Sequence, residues 1–162
     1  MADDFVQSLG LPFLAHRLKR ASELILEGSS AALAAEDFAA PARSGSTLLL
    51  LRANGPTSVT EIAYRLRLSH PLIIKLSAAL AEAGLVENRT DPLDSRRRLI
   101  ALHGKGRAEA ERFDAMSERL ARLFEEMFAE AGVDLFDALE RFERAAAAHP
   151  IAARLELQGV GE

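Results

Sequence analysis

The sequence predicts a mainly α fold with a small β-hairpin, and three observations predict it. Apolar residues recur at three- and four-residue steps over residues 4–28 and again over 105–131, marking amphipathic helices at both ends of the chain. Two shorter helical patterns, one opening at Thr57 or Ser58 and one running from Ser69 to Ala83, lie back to back across a tight connection. Directly after them, Leu85-Val86-Glu87-Asn88-Arg89 and Leu99-Ile100-Ala101-Leu102 flank Asp91-Pro92-Leu93-Asp94-Ser95-Arg96-Arg97-Arg98, which reads as strand, turn, strand. Helix, turn, helix and hairpin in that order describe a winged helix-turn-helix lobe, here flanked by N- and C-terminal dimerisation helices.

In the first helix, Phe5, Val6, Leu9, Phe13, Leu14, Leu18, Ala21, Leu24 and Ile25 form the apolar stripe, and Gly28-Ser29-Ser30 is expected to stop it. Pro12 implies either a kink or a regular helix that begins near Leu11. Residues 31–42 read as a short helix and a loop around Pro41. Ser44 to Ala53 gives a second helix with Leu48, Leu49, Leu50 and Leu51 mostly buried, closed by Asn54-Gly55-Pro56. In the third, Glu61 stands three residues after Ser58 in a capping-box arrangement, and Ile62, Ala63 and Leu66 face inward. Leu68-Ser69 makes the turn, and Ser69 caps the fourth helix. Pro71 sits near its first turn, where a missing N–H does no harm. Gly84 closes that helix, with Leu85 packing back. After the hairpin, Phe113, Met116, Leu120, Leu123, Phe124, Met127 and Phe128 stripe the long helix. Gly132 breaks it, Asp134 caps a last helix, and His149-Pro150 ends that one. The predicted order is α-α-α-α-β-β-α-α.

A chain of 162 residues, 49% hydrophobic and 27% charged, suits one domain or one protomer of an intertwined oligomer. The organisation expected over residues 1–162 is dimerisation helices at 4–30 and 107–148, a DNA-binding lobe at 42–106 and a loosely held tail at 152–162. The terminal helices carry more apolar surface than the central lobe covers, so a second copy is their natural partner. No apolar run approaches the ~20 residues that span a bilayer, and Met1-Ala2-Asp3-Asp4 is acidic, so no membrane is expected and the cytoplasm is the expected compartment. The chain has no cysteine, which excludes disulfides and thiolate zinc sites. His16, His70, His103 and His149 lie far apart, with no HExxH pattern, phosphate loop or nucleophile elbow. No catalytic residue, metal or cofactor is therefore expected, and an enzyme is the poorest reading.

Charge is unevenly placed. Residues 42–107 hold 11 basic and 5 acidic residues, net +6, whereas the remainder holds 9 basic and 19 acidic, net −10. A cationic middle between acidic ends fits a lobe that meets a polyanion. A hairpin tip with three consecutive arginines cannot be core, because guanidinium groups are costly to bury unpaired and well suited to phosphate.

Over roughly residues 10–140 the chain resembles the MarR family of bacterial transcriptional regulators. The residues that carry the resemblance are Gly84-Leu85-Val86, then Asp91-Pro92 with Asp94, Arg96 and Arg97, then Leu99-Ile100-Ala101-Leu102 with Gly106-Arg107. Thr60-Glu61-Ile62-Ala63 with Leu66 is similar to the family's third helix, and Ser69-His70-Pro71 to the start of its reading helix. Two departures stand out. His103 replaces the usual threonine cap of the long helix, and Leu72, Ile73 and Ile74 make the reading helix unusually apolar.

The resemblance implies a homodimeric repressor whose two reading helices enter successive major grooves of a pseudo-palindromic operator, about 10 bp apart. The DNA-binding residues expected are Ser69, His70, Pro71, Lys75, Asp94, Arg96, Arg97 and Arg98. Lys75 and the N-terminal amides of the reading helix suit phosphate, and His70 suits a base edge. The wing would lower Arg97, or Arg96, into a narrow minor groove, with Asp94, and Asp91 from the strand end, pairing an arginine to fix its shape. The family also implies an effector, a small aromatic or lipophilic anion. His16 and Arg20 share a helix face and could hold its carboxylate or phenolate; Arg52 is a further cation, and Phe113 and Met116 are apolar wall candidates. The alternative is a winged-helix module that binds protein and has lost specific DNA readout, for which the apolar reading helix is the argument.

Overall fold

The computed structural model describes residues 4–159 of the chain. Two compact units divide it, Met1–Asp114 and Ala115–Glu162.

The first unit opens with α1 (Phe5–Leu9), capped by Asp4, whose Oδ1 accepts the N–H of Val6 at 3.1 Å and of Gln7 at 3.3 Å. Gly10 then takes φ +70°, a 3-10 turn holds Pro12, and α2 runs Leu14–Ala35. The single helix expected over 4–28 is therefore two, and its regular part begins at Leu14. Gly28-Ser29-Ser30 does not stop α2. Ser30 returns its hydroxyl to the Leu26 carbonyl at 2.6 Å, a bond that leaves the helix intact, and termination waits for Asp37 at φ +55°.

A 3-10 turn at Ala42–Ser44 leads into α3 (Gly45–Asn54), and β1 (Thr57–Ser58) follows. The helix-turn-helix is α4 (Val59–Leu66) and α5 (His70–Glu82), and the hairpin is β2 (Val86–Thr90) with β3 (Arg98–Leu102). Strand order is β1-β3-β2, antiparallel, with Thr57 opposite Ile100 and Thr90 opposite Arg98. β1 was not anticipated, because two residues are too few to show alternation. Leu48 and Leu51 from α3, Ile62 from α4, Ile73 and Leu80 from α5 and Ile100 from β3 fill the core.

Between α5 and β2 the chain reverses in a Schellman motif. Leu85 N–H donates to Leu80 at 2.9 Å and Gly84 N–H to Ala81 at 2.9 Å, with Gly84 at φ +70°. The same Leu85 carbonyl accepts His103 N–H at 2.8 Å, tying the start of α6 (Gly104–Ala131) to that turn. Gly106 sits so close that a Cβ there would lie 1.9 Å from the Leu85 oxygen.

In the second unit the rings of Phe124 and Phe128 stack at 6.4 Å. Gly132 breaks α6 at φ +68°, and Asp134 caps α7 (Leu135–Ala148) by accepting Asp137 N–H at 3.0 Å. Residues 152–162, expected to be a loose tail, are instead helical over α8 (Ile151–Gly159); 160–162 lie outside the described residues. Arg154 explains the order: its guanidinium donates to the carbonyls of His149 at 2.7 Å and Ala145 at 2.8 Å, satisfying the open end of α7. No helix among the described residues is long and apolar enough to cross a membrane.

Candidate nucleic-acid interface

The reading helix is set by its ends. Ser58 Oγ accepts Glu61 N–H at 3.2 Å to start α4, although Glu61 turns to Arg65 at 2.6 Å rather than closing a reciprocal capping box. Arg67 then adopts φ +52° in the turn, and Ser69 Oγ accepts Leu72 N–H at 3.4 Å to start α5. Ile73, Leu76, Ser77 and Leu80 point into the core, while His70, Pro71, Ile74, Lys75 and Ala78 are exposed. The apolar run is thus mostly structural: Ile73 is fully buried, Leu72 is half-buried, and only Ile74, 52% exposed, offers methyls outward. His70 Nε2 lies 3.5 Å from Thr60 Oγ1, linking the two helices. The Lys75 side chain makes no hydrogen bond or ion pair among the described residues.

The wing's loop, 91–97, is shaped by two aspartates acting mainly on backbone. Asp91 Oδ1 accepts Leu93 N–H at 2.9 Å and Asp94 Oδ1 accepts Arg96 N–H at 3.0 Å, two successive Asx turns. Arg97 N–H donates to the Asp94 carbonyl at 2.9 Å, and Asp91 N–H to the Arg97 carbonyl at 3.1 Å. The arginine partner is Asp91, whose largely buried carboxylate lies 3.5 Å from Arg97 Nη1; among the described residues Asp94 pairs with no arginine side chain. Arg98 is not at the tip. It belongs to β3, where its guanidinium donates to Thr90 Oγ1 across the hairpin. Arg96 is exposed, and its side chain has no partner among the described residues. Arg67, exposed in the helix-turn-helix turn, escaped the sequence reading; a cation inside that short connection was the available signal.

The residues expected to line an effector site have the following surroundings. Arg20 Nη1 donates to Asp4 Oδ2 at 2.7 Å, and that bond holds the Asp4 carboxyl below the usual carboxylate range. His16 is exposed one turn away on α2. Arg52 Nη1 pairs with Asp114 at 2.6 Å, and Phe113 packs edge-on against Phe38 at 6.0 Å. Met116 is buried and lies in the second unit. Among the described residues no group of acids and histidines is arranged to hold a metal ion.

Comparison with known proteins places this geometry. The MarR family model matches residues 42–97, which contain the reading helix and the wing loop. The chain is similar to the transcriptional repressor CouR bound to a 23-mer DNA duplex, at 29% identity over 80% of this chain and 92% of that one, TM-score 0.61. It is similar also to the PcaV transcriptional regulator of Streptomyces coelicolor, at 25% identity over 85% and 97%, TM-score 0.62. CouR of Rhodococcus jostii bound to p-coumaroyl-CoA shares the fold, at 24% identity over 83% and 90%, TM-score 0.58. No curated protein sequence matches the chain significantly.

Proposed function

We infer that the chain is a member of the MarR family and a sequence-specific DNA-binding transcriptional regulator, a homodimeric, ligand-responsive repressor rather than an enzyme, acting in the cytoplasm. One observation carries the DNA-binding part: the lobe presents the side chains of Arg67, Lys75 and Arg96 exposed and without partners among the described residues, available for phosphate. Similarity to a repressor solved on duplex DNA supports the same reading.

In this reading Ser69, His70, Pro71 and Lys75 bring α5 into a major groove, and Arg96 follows the backbone or enters the minor groove beside it. Asp91 and Asp94 hold the loop in shape, with Arg97 restrained by Asp91 and Arg98 bracing the hairpin. Dimerisation would cover the apolar side chains left exposed on the terminal helices, among them Leu24 and Ile25 on α2 and Phe136 and Phe142 on α7. The protein-binding alternative is not favoured, because the apolar reading helix on which it rested is largely core.

A gel-shift against the promoter of the protein's own gene tests the reading. Binding should exceed that to an unrelated duplex and fall steeply with salt. Equal affinity for both duplexes would contradict it, as would a monomer near 17.6 kDa by light scattering at micromolar concentration.

A further inference from the structure

Leu93 is 95% exposed, more than any other large apolar side chain among the described residues. It stands at the apex of the wing loop, between Pro92 and Asp94, where hairpin tips ordinarily carry polar residues. The backbone around it is held in place. Leu93 N–H donates to Asp91 Oδ1 at 2.9 Å, Pro92 fixes its own φ, and Arg97 N–H closes on the Asp94 carbonyl at 2.9 Å. A preshaped loop therefore carries the isobutyl group outward, and burying it against a partner costs little further backbone entropy.

Charge at the apex is arranged for the same approach. Both acids that flank Leu93 are engaged within the loop, Asp91 with the Arg97 guanidinium at 3.5 Å and Asp94 Oδ1 with Arg96 N–H at 3.0 Å. The Arg96 side chain is exposed and has no partner among the described residues. A single exposed leucine is ordinary on a protein surface, and this one differs in its place: it leads a cationic loop toward a polyanion.

Phosphates offer a leucine nothing, and thymine methyls lie in the groove that α5 would occupy. The minor groove offers apolar sugar walls about 6 Å apart, room for one isobutyl group. Its floor is clear at A·T pairs and carries the guanine 2-amino group at G·C pairs. An apolar side chain seated there would crowd that amino group and strip its N–H of water. Apolar side chains placed in the minor groove are an established device of DNA-binding proteins.

We propose that Leu93 is a specificity-determining residue of the DNA complex: its side chain enters the minor groove and rejects base pairs that carry a 2-amino group there, while Arg96 stays on the bordering phosphates. The proposal rests on the DNA-binding reading above. In this arrangement the preference for A·T comes from steric exclusion at the apex, and the arginine supplies affinity.

The test uses the full chain and the own-promoter duplex in ordinary form, with 2,6-diaminopurine replacing adenine, and with inosine replacing guanine. Diaminopurine adds the 2-amino group to A·T pairs and inosine removes it from G·C pairs; both leave the major-groove donors and acceptors in place. Fluorescence anisotropy gives the affinities of wild type, Leu93→Ala and Arg96→Ala. Diaminopurine should weaken the wild type about tenfold, roughly 1.4 kcal/mol, and inosine should leave binding as tight or tighter. Leu93→Ala should bind the ordinary duplex several-fold more weakly with an unchanged salt slope, and its diaminopurine penalty should fall below about twofold. Arg96→Ala should flatten the salt slope and keep the penalty. A wild type indifferent to diaminopurine, a penalty that persists in Leu93→Ala, or one that vanishes with Arg96→Ala would each overturn the proposal. Equal affinity of the wild type for own-promoter and unrelated duplexes would instead sink the regulator reading, and the diaminopurine comparison would still decide the role of Leu93.

Discussion

The carboxylate of Glu109 accepts the backbone N–H of Ala39 at 2.6 Å, joining α6 to a loop 70 residues earlier in the chain. The same oxygen takes Ala40 N–H at 3.0 Å, and Arg112 sits 3.1 Å from the other oxygen. Arg112 also donates to the carbonyls of Glu36 and Asp37, so one acid and one base from successive turns close a loop that carries no regular structure of its own.

Removing that acceptor leaves two N–H groups unanswered, one of them buried, which costs about 1–3 kcal/mol per buried group. Glu109→Ala should therefore lower unfolding stability by about 2 kcal/mol in urea titrations. Glu109→Gln, which keeps one carbonyl oxygen, should lose less than half as much. Equal losses in the two variants would mean that charge, not the acceptor, matters.

Gly106 and Gly104 form a matched pair. A Cβ at Gly106 would meet the Leu85 carbonyl at 1.9 Å, and that carbonyl is already committed to His103, so the backbone has little room to give. Gly106→Ala should destabilise by about 2 kcal/mol or more. Gly104 has nothing within 4 Å of the added atom, and Gly104→Ala should leave thermal stability unchanged or slightly raised. Similar melting shifts for both would contradict the packing account.

The N-terminal anchor should respond to acid. Hydrogen bonding from Arg20, then backbone bonds from Gln7 and Val6, hold the Asp4 carboxyl below its ordinary value despite some desolvation. A carboxyl depressed in the folded state stabilises it at pH values above the unfolded-state pKa, and that contribution is lost as pH falls through the folded value. The hold of α1 on α2 should thus be complete at neutral pH and fail only below about pH 4. Carboxyl carbon NMR of Asp4 should give a midpoint that rises in Arg20→Gln. An unchanged midpoint would remove the pairing from the account.

Much of this fold was legible because local rules agreed with one another. Ser58, Ser69, Gly84, Gly132 and Asp134 mark helix ends by cap chemistry that depends on a few neighbouring residues, and each does what its type predicts. The wing was legible because Asp91, Pro92 and Asp94 favour turns whatever lies around them. What stayed hidden depends on distant partners. Gly28-Ser29-Ser30 reads as a stop, yet α2 continues because nothing there opposes it; α8 is ordered by Arg154 reaching back to Ala145. β1 exists only because β3 offers its edge. At the candidate site, the residue types were legible and their partners were not: Arg97 is restrained by Asp91, not Asp94, and Arg98 is spent on Thr90. Glu109 was detectable as a carboxylate on the inward face of α6, in register with Gly106, Ala110 and Phe113.

The central claim is that the wing and the reading helix meet the phosphates of a duplex together. Anisotropy titrations of the own-promoter duplex across salt concentrations, with wild type and the Arg96→Ala, Arg97→Ala double variant, test it most directly. Affinity should drop in the double variant, and the slope of log K against log salt should flatten by about 0.9 for each phosphate no longer neutralised. An unchanged affinity and an unchanged slope would contradict the account.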